Sequence, residues 1–327
     1  MAEKITMADI ARMAGVGKST VSRYFNGGYV KEETKERIQS VIRAHNYEPN
    51  AFARLKAKER GVIGVVVPTL NSKVTSRVVT SIGRCLREQG FETIIKDSDH
   101  SKELEAKNLK RLMSLNVDGI LLSAISRSEE LEETIQASPV PVVVLAQDYE
   151  AGICVTQDDF GAGRRMGAYV GKRQPKRVGY LGVDESDPAA GLARRLGVEA
   201  GLRETANPEI IALQGDYSYE SGQRMAREIL EQGSVDALIC ATDRLAFGAY
   251  RVLGQMGLRI PQDVSVTGFG GYDESELLKP RLTTLRFDSY ALGYLGAETL
   301  IRLLRGEIVA KKQVVDYIFL EGESVKL

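Results

Sequence analysis

Lys18, Ser19, Thr20, Ser22 and Arg23 follow a turn marked by Gly15-Val16-Gly17. On a helix whose other face carries Val21, these side chains offer two cations and three hydroxyls to one surface. That set hydrogen-bonds phosphate oxygens and base edges, so the chemistry it implies is contact with a nucleic acid. The same letters, GVGKST, invite comparison with a phosphate-binding loop. That loop needs a glycine five positions before Gly17, where Arg12 stands, and an apolar strand leading in, which is missing.

The elements that must present these groups are legible around them. Ala11 and Ala14 leave one face of a preceding helix without bulk, Gly15 suits the left-handed position that ends a helix, and Val16 and Val21 fill a seam between two short helices. The pattern predicts helices over 6–13, 17–25 and 32–45, the last with Ile38, Val41 and Ile42 inward, and Asn26-Gly27-Gly28 breaking the second. Tyr47-Glu48-Pro49-Asn50 imposes an extended turn, and AFARLKAK after it has little apolar stripe of its own, so it is a marginal helix in isolation.

The 327 residues, 43% hydrophobic and 27% charged, are those of an ordinary globular protein with room for two or three cores. Lys plus Arg equal Asp plus Glu at 44 each, yet residues 1–60 hold 12 basic against 7 acidic side chains, leaving 32 against 37 beyond them, or +5 and −5. Only the front end is charged to meet a polyanion. Cys85, Cys154 and Cys240 are odd in number and lack metal-ligand spacing, so a disulfide framework or zinc cluster is not expected. MAEKITMADI lacks an apolar signal core and no run reaches bilayer length, which points to a reducing, cytoplasmic setting without a membrane partner. His45 and His100 are the two histidines, and no nucleophile–base set can be assembled around them; GFGGYD at 268–273 reads as a loop lining a cleft. An enzyme is not expected, nor a cofactor.

From Val62 onward the pattern changes to unbroken apolar strands, each followed by an amphipathic helix: VIGVVVP, FETIIKD, DGILLS and PVVVLA, then RVGYLG, EIIALQG, ALICA and VSVTGFG. Such strands belong in parallel sheets covered on both faces, and there are too many for one small domain. The fold class is therefore α/β: an all-α N-terminal helix-turn-helix followed by two doubly wound parallel-sheet halves. Asp243 and Thr242 follow the strand ALICA, at the carboxyl end where open α/β folds place ligands; Asp243 equally suits an N-cap.

The phrase T-x-x-D-I-A-x-x-A-G-V-x-x-x-T-V-S-R, the Tyr47-x-Pro49-Asn50 exit and the double α/β body together resemble the lactose-repressor family of transcription regulators, over essentially the whole chain. Val117-Asp118-Gly119-Ile120, Ala241-Thr242-Asp243 and Pro280-x-Leu282-Thr283-Thr284 are further landmarks. LAQD at 145–148, which contains Gln147, YLGV at 180–183 and CATDRLAFGA at 240–249 look most like the repressors of trehalose and related disaccharide operons.

The resemblance implies a sequence-specific regulator of a sugar operon, a homodimer on double-stranded operator DNA, controlled by a sugar or sugar-phosphate effector. It implies a helix-turn-helix domain at 1–49, a hinge helix and linker at 50–60, and an effector and dimerisation body at 61–327 resembling type I periplasmic binding proteins. One half of that body is expected at about 61–157 and 289–311 and the other at 158–288 and 312–327, with crossings near 157, 288 and 312. A sugar-binding protein without DNA function is the alternative, opposed by the DNA-binding front. By position Gly17, Lys18 and Ser19 touch bases, Arg23 matches the arginine at the far end of the helix, and Thr6, Thr20, Ser22 and Asn26 hold phosphates. Thr20 and Ser22 equally suit capping. Ala53 and Leu55 stand where the family wedges the minor groove, but here no residue separates Ala53-Arg54 from Leu55, a shift of roughly 100° on a helix. The dimer surface is expected on the helix at 74–89, and the absence of a leucine heptad past Glu321 argues against a tetramer module.

For the effector, Tyr217 falls at the family's stacking aromatic, or is a core tyrosine. Arg194 belongs to the sugar-binding R-x-R-x-x-G pattern, which here keeps one arginine of two, and Gly270 stands where an aspartate is frequent. With Lys73, Arg77 and Arg195 these cations would suit an anionic ligand, or serve as surface and interface charges.

Overall fold

The computed structural model describes residues 5–25, 28–45, 47 and 61–326. Asn26 and the expected hinge with Ala53 and Leu55 lie outside the described residues. The chain divides into a small unit, Met1–Val62 with Gln89–Glu92, and a large body.

In the small unit, α1 (Met7–Met13), α2 (Lys18–Phe25) and α3 (Glu32–Ala44) pack around Ile10, Ala11, Ala14, Val21 and Ile38, with Val16, Val41 and Ile42 partly buried beside them. Thr6 starts α1 with a capping box: its hydroxyl oxygen accepts from the Asp9 N–H at 3.3 Å, and the Asp9 carboxylate accepts from the Thr6 N–H at 3.0 Å. These bonds to Thr6 hold the Asp9 carboxyl below its ordinary value. Gly15 takes φ +62°, the left-handed turn that lets the Val16 N–H reach Ala11 O at 3.0 Å.

The body is two lobes. The first sheet runs β11-β5-β4-β3-β1-β2, from β1 (Val62–Val67), β2 (Glu92–Asp97), β3 (Gly119–Ser123), β4 (Val142–Leu145), β5 (Ile153–Gln157) and β11 (Lys312–Val315). The second runs β12-β10-β9-β8-β6-β7, from β6 (Arg177–Val183), β7 (Glu209–Gly215), β8 (Ala237–Cys240), β9 (Ser265–Phe269), β10 (Thr283–Phe287) and β12 (Tyr317–Leu320). The interior strands β1, β3, β4, β8 and β9 are buried at every residue, as their unbroken apolar runs require, while β2 and β7 alternate exposed and half-buried at the sheet edges. β12 pairs antiparallel with β10, an exception to the parallel expectation.

The helices of the first lobe are α4 (Lys73–Glu88), α5 (Lys102–Ser114), α6 (Glu129–Gln136) and α11 (Ser289–Leu304); those of the second are α7 (Asp159–Gly171), α8 (Arg194–Thr205), α9 (Tyr219–Glu231) and α10 (Asp243–Gln255). The chain passes between lobes after Gln157, at Asp288 and at Asp316, where the Asp288 N–H donates to Asp316 O at 3.1 Å. The third passage lies past the expected 312 because Lys312–Val315 pair in parallel with Cys154–Gln157 as the edge strand of the first sheet.

α7 and α8 meet backbone to backbone. A Cβ on Gly167 would stand 2.1 Å from Val198 O, and one on Gly201 2.1 Å from Arg164 O. The three cysteines are free and buried, and burial pushes the Cys85 thiol up to about 11. Among the described residues no helix is long and apolar enough to cross a membrane.

Candidate nucleic-acid interface and ligand cleft

Val21 anchors α2 in the core, and this rotation turns Lys18, Ser19 and Arg23 to solvent together with Gly17 just before the helix; Thr20 and Ser22 are half-buried. Neither Lys18 nor Arg23 is in an ion pair with a described residue. Lys18 sits at the helix amino terminus, where unpaired N–H groups and the helix dipole already favour an anion. Thr6 is different: its hydroxyl also donates to Asp9 at 2.6 Å, so it is engaged in the cap of α1.

In the body, the loops after the carboxyl ends of both sheets converge on a cavity of about 180 Å³ between the lobes. Pro68–Ser72 follow β1, Ala146 and Gln147 follow β4, Asp187 follows β6, Tyr217 follows β7, and Phe269 and Gly270 close β9. A second, outer chamber of about 710 Å³ shares Asn71, His100, Asp187, Tyr217 and Arg244 with it.

Asp187 joins the two lobes. One carboxylate oxygen accepts from Gln147 Nε2 at 2.8 Å, across the cleft, and from the Ala189 and Ala190 N–H groups at 3.0 Å each. The other accepts from the Tyr217 hydroxyl at 2.5 Å. The two backbone bonds arise because Asp187 caps a π-type turn, Pro188–Ala193, that leads into α8. The Tyr217 ring stacks on His100 from the opposite lobe, centroids 5.3 Å apart and planes 16° from parallel. Burial pushes His100 below the ordinary histidine value against the pull of Asp99, Asp97, Asp216 and Asp187, so the ring is neutral at pH 7.

Arg194 is buried at the back of the cavity, donating through Nε and Nη2 to Asp159 at 3.0 and 2.5 Å and through Nη1 to Ala241 O at 2.5 Å. The Phe269 and Phe287 rings lie 5.0 and 5.2 Å from its guanidinium carbon. Burial pushes the Asp159 carboxyl up, and the Arg194 charge opposes it. Gln157 also lines the cavity, and its Nε2 is buried with no hydrogen-bond partner.

Glu105 lies fully buried nearby, with Oε1 accepting from the Ile125 N–H at 3.3 Å and Oε2 without a partner. Burial, reinforced by Asp187, pushes its carboxyl up to about 7.

Two family models match the chain: bacterial regulatory proteins, lacI family, at residues 6–50, and a periplasmic binding protein-like domain at 169–325. The chain is thus similar to the lacI family of bacterial regulatory proteins at its front and to a periplasmic binding protein-like domain over most of its second lobe. It is 27% identical over 312 residues to the sucrose operon repressor of Staphylococcus xylosus, covering 95% of this chain and 97% of that one. Its structure is similar to the lac repressor dimer bound to operator and an anti-inducer, with a TM-score of 0.80, 25% identity and 98% of this chain and 99% of that chain covered. It is also similar to a complex of the transcriptional regulator CelR with cellobiose, with a TM-score of 0.73, 27% identity and 98% and 99% covered.

Of the effector residues expected from the sequence, Gln147, Arg194, Tyr217, Thr242 and Gly270 line the inner cavity. Lys73, Arg77 and Asp243 do not. Lys73 reaches Glu274 at 3.3 Å, and Arg77 reaches Asp273 at 3.1 Å and Gly271 O at 3.2 Å, so both cations tie α4 to the second lobe. Asp243 is wholly buried as the first residue of α10, accepting from the Tyr272 N–H at 2.8 Å, Ser275 Oγ at 2.9 Å and Thr284 Oγ1 at 2.5 Å. The cap of α10 is Thr242, which accepts from the Leu245 N–H at 3.2 Å. Gly270 takes φ +143°, and a Cβ there would meet the Tyr272 ring at 2.9 Å.

The sequence reading missed His100, Gln157, Asp159 and Asp187. Their shared signal was position: each comes at or just after the carboxyl end of a strand, and Asp187-Pro188 announces a helix start.

Proposed function

We propose that this chain is a sequence-specific DNA-binding regulator of a carbohydrate-utilisation operon whose operator affinity is set by a sugar held between the lobes of its body. The observation that carries the reading is the presence in one chain of solvent-facing Lys18 and Arg23 on α2 and a polar, aromatic-lined cleft with an unpartnered amide donor. Lys18 reads guanine acceptors in the major groove, with Ser19 beside it, while Arg23, Thr20 and Ser22 hold phosphates. Ala53 and Leu55 approach the minor groove. The disaccharide-operon resemblance and the names of the sucrose and cellobiose relatives support a disaccharide as the effector class.

The regulator acts as a homodimer. Tyr290 and Tyr294, stacked on each other and exposed on α11 beside α4, support an apolar partner surface there. Sugar binding shifts the balance between lobe arrangements, and the two arrangements differ in operator affinity.

Fluorescence anisotropy with genomic fragments at moderate salt tests the reading, with and without sucrose, trehalose and cellobiose. A selected fragment whose affinity changes with one sugar is expected. Selection of no fragment over random duplex, alongside measurable sugar binding, would instead establish a sugar-binding protein without a DNA role.

A further inference from the structure

We infer that the ligand of the cleft is an uncharged polyol rather than a phosphorylated sugar, and that Gln157 donates to it in the inner chamber; this rests on the carbohydrate reading above. The charges around the cleft carry the inference. Of the two cations lining the inner chamber, Arg194 is saturated by Asp159 and Ala241 O and sandwiched against Phe269 and Phe287, and Arg244, shared with the outer chamber, donates to Asn71 O at 3.3 Å. Asp187 adds a carboxylate to the same wall. The outer chamber holds Lys102 and Arg244 against Asp99, Asp184, Asp187 and Asp216, with His100 neutral between them.

The remaining cations near the cleft are engaged elsewhere. Lys73 and Arg77 close on Asp273 and Glu274, and Arg195 pairs with Glu185 and Glu199. A phosphate group would therefore enter a field of net negative sign, four carboxylates against two cations in the outer chamber, where Arg244 is already turned to Asn71 O at 3.3 Å. In the inner chamber Asp187 already accepts four hydrogen bonds and Asp159 is held by Arg194.

What the inner chamber lacks is an acceptor. Gln157 Nε2 is buried without one, and a hydroxyl or ring oxygen supplies it. Tyr217, Phe269 and Phe287 offer apolar faces to the C–H side of the same ring. The volume, about 180 Å³, corresponds to roughly six waters at ~30 Å³ each, a space for one sugar ring, and leaves the outer chamber for a second.

Isothermal titration of the full chain with three matched pairs tests this: sucrose, trehalose and cellobiose, each against its 6-phosphate. In whichever pair binds, the neutral member is expected to bind at least tenfold tighter. A phosphate that binds as tightly as its parent, or tighter, overturns the inference while leaving the carbohydrate reading in place. Silence from all six compounds overturns both. Gln157→Leu, with its fold confirmed by circular dichroism, is expected to weaken the neutral ligand about tenfold; an unchanged affinity would remove Gln157 from ligand recognition.

Discussion

Glu105→Gln separates the burial of this carboxyl from every other pH-dependent property of the body. The folded chain holds the Glu105 proton up to about pH 7, whereas an ordinary glutamate releases it at 4.5. Between those values the folded state binds more protons than the unfolded one, so stability falls as pH rises through the window and is level above it. A shift of about 2.5 units at 1.36 kcal/mol each amounts to ~3 kcal/mol lost by pH 8, of which about 0.8 kcal/mol is already lost at pH 5. Glutamine does not titrate and keeps an oxygen for the Ile125 N–H, so the variant escapes the loss.

Any fixed cost of the new amide is the same at both pH values. The quantity to measure is therefore the change in the stability difference between variant and parent, expected to grow by about 2.5 kcal/mol in favour of Glu105→Gln from pH 5 to pH 8. Urea unfolding at pH 5, 6, 7 and 8, followed at the transition of the body, gives it directly. Parallel pH profiles for the two proteins would refute the reasoning, because a carboxyl that titrates normally contributes no such divergence.

Three further outcomes are expected. Gly167→Ala drives a methyl into Val198 O, an overlap that outweighs the ~1 kcal/mol helix-propensity gain and lowers stability by about 2 kcal/mol, whereas Gly254→Ala, with nothing within 4 Å, raises it; thermal melts of the pair read the contrast. Asp243→Ala strands the Tyr272 N–H and the Ser275 and Thr284 hydroxyls in the core and costs roughly 3 kcal/mol, measured by urea unfolding. Lys18→Ala weakens operator binding by about 1–3 kcal/mol and flattens the response to base substitutions at one position of each half-site, read by anisotropy across a set of substituted operators.

Local pattern carried much of the architecture. Ala11, Ala14, Gly15 and Val21 specify a helix-turn-helix through size and backbone freedom, properties that need no distant partner, and the three helices begin and end within one residue of their expected positions. The interior strands announce themselves because burial on both faces demands an apolar residue at each place. Less visible were β5 and α7. ICVTQ is short and ends in polar residues, and DFGAGRRMGAYVG carries glycines that a helix tolerates only when another backbone presses against them, as α8 does here.

The site divides along the same line. Tyr217, Gln147, Thr242 and Arg194 line the cavity, and of these Thr242 was placed by its position directly after a strand, since the carboxyl edge of a parallel sheet is a local address, while the other three were placed by resemblance. Which charges remain free is a different matter. Lys73 and Arg77 find their carboxylates about 200 positions away along the chain, and Asp187 meets Gln147 across 40. By itself the amino-acid order determined the helix that turns Lys18 and Arg23 to solvent, the two layered halves and the sheet edges that line the cleft, because these follow from side-chain size and periodicity. Only the tertiary structure decided which cations are neutralised, which carboxylates are saturated and which donor is left wanting, because electrostatic partners are chosen by distance in space, and hydrophobic patterning is silent about that.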